Sequence, residues 1–213
     1  RRARGHPLRG RTPCVTPENQ LTHSPQNPGL DKVITETITQ VTPHGIRTAD
    51  GIEHTLDTLI HGTGFTATDF LAPMTVTGRG GRELRAHAWA DGAEAFLGMT
   101  VPGFPNLFLL YGPNTNLGNN SVIYMIESQV RYVLSCLALM DRDGRRELEV
   151  APHAFASFRR HLEDALRTTV WGRGCTSWYK TGTGRITVNW PHRAARYRTL
   201  TRTPDPAHFR EQG

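Results

Sequence analysis

The sequence predicts an α/β fold in which a β-meander leads into a strand, a tight turn and a long helix. Short β-prone runs separated by turn residues begin at Val33, and an apolar run over residues 107–111, LFLLY, stops in the turn GPNTNLGNN. A segment of helical length with apolar residues at spacings of three and four follows that turn.

Taken in order, residues 1–30 carry Arg, Pro, Gly, Asn and Gln with almost no apolar periodicity. They cannot bury enough surface to offset the entropy of ordering, and a basic, disordered arm is expected. The runs ITQV, IRT and IEH, parted by PHG and ADG, predict a three-stranded meander. It is expected to feed a buried strand over residues 56–60 that ends at Gly62, Thr63 and Gly64. Residues 70–106 are rich in Gly and Pro without a sustained period, which predicts ordered loop over a core. The 107–111 strand and its turn then deliver a helix over residues 121–140. Its expected core face is Val122, Ile126, Val130, Val133, Leu134 and Leu137, with Asn119, Asn120 or Ser121 as N-cap. A second helix is expected over 153–168, and a strand-and-loop segment bearing Trp171, Trp178, Tyr179 and Trp190 closes the chain. By domains, 31–140 reads as one region of meander, strand, turn and helix, and 141–213 as a C-terminal helix with a Trp-rich cap segment.

The chain has 213 residues, 37% of them hydrophobic, enough for one sizeable core or two small lobes. Lys and Arg number 25 against 19 acidic residues, for a net charge of +6, and Lys32 and Lys180 are the lysines. An arginine bias of this kind follows from a G+C-rich genome, so RRARGHPLRGR and RAARYRTLTR read as solvated surface and no nucleic-acid partner is expected. Cys14, Cys136 and Cys175 are widely spaced, which argues against a disulfide framework or zinc site and fits a reducing cytoplasm. No run of 18 apolar residues occurs, so no membrane span is expected. Neither H-E-x-x-H nor G-x-S-x-G is present, and Asp57 and Asp69 read as turn caps. No metal is expected.

The turn after residue 111 carries the chemistry. A helix N-terminus offers unpaired N–H groups and about half a unit of positive charge, favouring an anion or an electron-rich ring carbonyl. Asn114, Asn116, Asn119 and Asn120 add amides able to meet a flavin or pyrimidine edge or a phosphate. The same asparagines serve equally as left-handed turn residues and helix caps, and composition leaves both roles open.

The runs DTLIHGTGF, WADGAEAFLGMTVPGFPNLFLLYGPNTNLGNNSVIYMIESQVRYV and GCTSWYKTGTGRITVNWP, in that order, resemble the C-terminal third of the Baeyer–Villiger flavin-containing monooxygenases. The resemblance covers residues 33–209. It implies part of a flavoprotein with two Rossmann-type dinucleotide-binding domains, which uses FAD, NADP(H) and O2 to insert oxygen beside the carbonyl of a small ketone. Carried over, Thr63, Gly64 and Phe65 link the nucleotide-binding lobes. Gly112, Pro113, Asn119, Asn120 and Ser121 form the flavin-side turn, and Ser177, Trp178 and Tyr179 reach the nicotinamide cofactor and substrate pocket.

The family's two G-x-G-x-x-G fingerprints and its F-x-G-x-x-x-H-x-x-x-W signature are absent from this sequence. Gly62, Asn119, Ile186 and His192 stand where the family favours Ala, His, Asn and Gly. The expectation is a truncated chain without its N-terminal lobes and inactive alone. It either belongs to such an oxygenase or is a non-catalytic remnant that depends on a separate chain for those lobes.

Overall fold

The structure, a computed structural model, describes residues 34–62, 66–118, 120–173 and 179–210. The chain divides into two compact units, Arg1–Gly64 and Phe65–Gly213.

In the first unit β1 (Ile38–Thr42), β2 (Gly45–Thr48) and β3 (Glu53–Thr55) form an antiparallel sheet in the order β1-β2-β3. Val41 faces Ile46, and Ile46 faces His54. The meander is as expected. Cross-strand polar pairing supports it: Glu53 accepts from Thr42 at 2.7 Å and pairs with Arg47 at 2.9 Å. The buried strand expected at 56–60 is not formed. Those residues adopt no strand geometry and Ile60 is 87% exposed: the Leu56 N–H reaches His44 O at 3.0 Å, but among the described residues no strand runs alongside the rest.

The second unit is built on α1 (Val122–Arg142) and α2 (Pro152–Arg167), with the short α3 (Ala194–Leu200) against α1. Pro152 occupies the first turn of α2, where its missing N–H costs no hydrogen bond. Tyr132, Cys136 and Leu139 of α1 pack with Phe96, Met99, Val150 and Phe209, while Met125 packs with Leu117, Trp190 and Tyr197. The 70–106 segment is ordered loop with a π-helical turn at Leu84–Ala88, and it buries Leu84, Trp89, Val101 and Phe104. Glu149, buried, ties three segments together by accepting from Arg79 at 3.0 Å, Arg210 at 2.9 Å and the Gly103 N–H at 3.0 Å.

Three expectations are corrected here. Residues 107–111 form no strand: the Leu109 N–H reaches Met99 O at 2.8 Å, but no ladder runs alongside, and Leu110 is half exposed. The core face of α1 is Met125, Ser128, Gln129, Tyr132, Cys136 and Leu139, whereas Val130, Leu134 and Leu137 of the expected face stay exposed. α1 is apolar on both faces, and periodicity alone cannot rank them. That apolarity makes α1, at a mean hydropathy of 1.3, long and apolar enough to cross a membrane by length and composition, although its buried stripe belongs to this core. Finally, α3 falls where strand and loop were expected; AARYRTL is only seven residues, too short for a clear period.

Candidate functional site

The turn begins where two segments pass at backbone contact. A Cβ on Gly112 would lie 2.3 Å from Gly98 O, and one on Gly98 would lie 2.1 Å from the Thr115 Cγ2, so both positions require glycine. Thr115, fully buried, donates to Gly112 O at 2.7 Å and closes the turn on itself. Pro113 is buried beside it.

Asn114 sits at φ 56° with 7% exposure, the left-handed geometry that asparagine tolerates. Its amide donates to Ile186 O at 2.8 Å and to Asn189 O at 3.1 Å. Its backbone N–H reaches Thr187 O at 2.8 Å, and the Asn116 N–H reaches Val188 O at 3.0 Å in a parallel pairing. The Asn116 side chain donates to Asn189 Oδ1 at 2.8 Å and accepts from the Tyr111 hydroxyl at the same distance. Asn114 and Asn116 therefore lace the turn to the 186–190 segment, and of the two Asn114 takes the left-handed turn position that the sequence left open. Asn189 keeps one buried amide donor without a hydrogen-bond partner.

At the end of the turn Ser121 caps α1, accepting from the Tyr124 N–H at 3.3 Å, while the Asn120 side chain accepts from the Ser121 N–H at 2.7 Å. The N–H groups of Val122 and Ile123 have no acceptor within the helix by geometry. A hollow of about 430 Å³ opens there, lined by Asn120, Ser121, Ile123, Tyr124 and, further from the cap, Glu127 and Ala194.

Tyr179 is half-buried, edge-on to Trp171 with ring centres 6.4 Å apart. Burial, and secondarily Tyr179, raise the Tyr111 phenol above its ordinary pKa. Thr63, Gly64, Phe65, Asn119, Ser177 and Trp178 lie outside the described residues. Sequence reasoning missed Gln129, Tyr197 and Asn189. Gln129, a polar residue inside an apolar helix, was a legible signal; Asn189 in TVNW was not. Among the described residues no group of three or more His, Cys, Asp or Glu is placed to hold a metal.

No family profile matches the chain. Individual proteins do. A Baeyer–Villiger monooxygenase of Pseudomonas aeruginosa is 46% identical over 179 residues, 83% of this chain and 34% of the relative. The chain is a relative of the Baeyer–Villiger monooxygenases. Among solved structures, an oxidised steroid monooxygenase bound to NADP is 29% identical with a TM-score of 0.65, covering 79% of this chain and 32% of that one. The OTEMO complex with FAD and NADP is 28% identical with a TM-score of 0.66, covering 78% of this chain and 31% of its own. The chain thus spans about a third of the length of the Baeyer–Villiger relatives it matches. The laced turn, α1 and the aromatic segment lie in the stretch over which the quoted sequence runs resemble that family.

Proposed function

We propose that this chain supplies the flavin-facing turn and the aromatic cap of a Baeyer–Villiger monooxygenase that turns a small ketone into an ester or lactone. Its two dinucleotide-binding lobes come from the remaining length of such a protein or from a separate chain. The observation that carries the reading is the α1 N-terminus, presented on a turn fixed by Asn114, Asn116 and Asn189.

The residues present fit one edge of a flavin ring. Ser121 and Asn120 are committed to the cap, leaving the first helical N–H groups and the adjoining hollow for a ring carbonyl. They do not fit a whole dinucleotide, since the sequence has no glycine-rich phosphate loop. When bound, FAD reduced by NADPH supplies the oxygen chemistry. This chain's part is to orient that edge and to place the positive end of α1 where negative charge accumulates, at no cost of reorganisation. Thr63, Gly64 and Phe65 serve as the link between lobes, and Ser177, Trp178 and Tyr179 close over the nicotinamide and substrate.

Exposed apolar residues on α1 support a requirement for the other lobes. Ile123 is 69% exposed, Leu134 59% and Leu137 48%, a stripe that a buried interface accounts for. The test is reconstitution with the N-terminal two thirds of the Pseudomonas relative expressed as a separate polypeptide. The chain alone should be colourless after desalting, and the mixture should retain yellow flavin and oxidise NADPH faster with a ketone present. A mixture that forms a complex yet holds no flavin would overturn the reading. If flavin is held but NADPH oxidation ignores the ketone, the non-catalytic remnant is the better account.

A further inference from the structure

A second groove, of 590 Å³, lies between α1 and α3 and shares no residue with the 112–121 turn. Tyr124, Ser128 and Arg131 line it from α1, and Arg198, Thr201 and Arg202 from α3 and its end. It has three guanidinium groups and no carboxylate in its lining. Several arginines elsewhere share a carboxylate, Arg79 and Arg210 on Glu149 and Arg185 and Arg159 on Glu94, while others, such as Arg82, Arg160 and Arg196 among the described residues, are unpaired singly; here three unpaired guanidinium groups line one concavity. Among the described residues Arg131, Arg198 and Arg202 make no ion pair, and even Glu127, one helical turn before Arg131, lines the neighbouring hollow instead. The Arg198 guanidinium is held over the Tyr124 ring, 5.1 Å from its centre, which orders one cation at the groove wall before any ligand arrives.

Three like charges around one concavity repel each other and concentrate positive potential, and an anion that bridges them relieves both. Guanidinium groups match tetrahedral oxyanions through paired N–H donors, and a diphosphate offers enough oxygens to engage all three at once. We propose that this groove binds a small soluble phosphate-bearing anion of the diphosphate class. Arg198 is its fixed donor, and Arg131 and Arg202 close on it from either side. The groove takes no residue from the 112–121 turn, but it shares the Tyr124 wall with the hollow at the start of α1.

The test is calorimetric titration of the 213-residue chain with inorganic pyrophosphate, beside inorganic phosphate and vesicles containing phosphatidic acid. Saturable pyrophosphate binding is expected. Each of Arg131→Gln and Arg202→Gln should weaken it by about tenfold, the loss of one charge-assisted contact, while Arg196→Gln, outside the groove, should leave it unchanged. A thermal melt of each variant separates lost binding from lost folding. Tighter binding of phosphate than of pyrophosphate would overturn the diphosphate class. Absence of binding by the folded chain, equal weakening by Arg196→Gln, or binding to vesicles without binding to pyrophosphate would each overturn the site.

Discussion

Gln129 accepts the backbone N–H of Tyr111 at 2.8 Å, joining the middle of α1 to the start of the turn that leads into the same helix. The amide's other end donates to the Tyr197 hydroxyl at 2.9 Å, which donates to Leu97 O at 2.6 Å. One fully buried side chain thus fixes the turn, α3 and the 97 loop relative to α1.

Gln129→Leu keeps the volume, strands the Tyr111 N–H at a part-buried position and removes the donor to the buried Tyr197 hydroxyl. The expected loss is about 2–4 kcal/mol by urea denaturation, since unpaired buried donors bear their full desolvation cost. Tyr197→Phe should cost less, because Gln129 keeps its bond to Tyr111. Equal losses would mean that the network does not act through Gln129.

Asn114 separates two contributions. Asn114→Gly retains the left-handed backbone and loses two amide bonds, about 2 kcal/mol; Asn114→Ala loses the bonds and adds about 1 kcal/mol for a Cβ at positive φ. Chemical denaturation should rank Ala below Gly. The reverse order would contradict the observed φ of 56°.

Tyr132 is 1% exposed and its hydroxyl has no hydrogen-bond partner. Burial raises its pKa, so it stays a neutral phenol throughout the working range. Tyr132→Phe removes an unsatisfied group without leaving a cavity, and should be neutral or stabilising by about 1 kcal/mol in a thermal melt. A loss of stability would reveal a partner for the hydroxyl.

Burial pushes the Cys136 thiol up from 9.0 to about 12. The folded state therefore holds its proton more tightly than the unfolded state, so this contribution to stability is full below pH 9.0 and is lost as pH rises toward about 12. Site-resolved alkylation at pH 8 should leave Cys136 unmodified until denaturant is added. Rapid native labelling would show that the α1 core opens.

The part of the site written in local chemistry was readable. Ser121 is a strong cap before an apolar run, the Gly-Pro-Asn composition marks a turn, and Asn114 suits a left-handed position. What those asparagines hold was not readable, because their partners lie more than 70 residues away at Ile186 and Asn189.

The sequence by itself determined the meander, the two long helices, the capped turn and the kinship with flavin monooxygenases, all of which rest on short-range patterns or long runs of matching residues. Only the tertiary structure decided which face of α1 is core and whether residues 56–60 and 107–111 become strands. A strand exists through its neighbours' backbone groups, and a helix apolar all round takes its inner face from whatever packs against it. Here Phe96, Met99, Val150 and Tyr197 choose the Met125, Tyr132 and Cys136 face, and Leu134 and Leu137 are left outward.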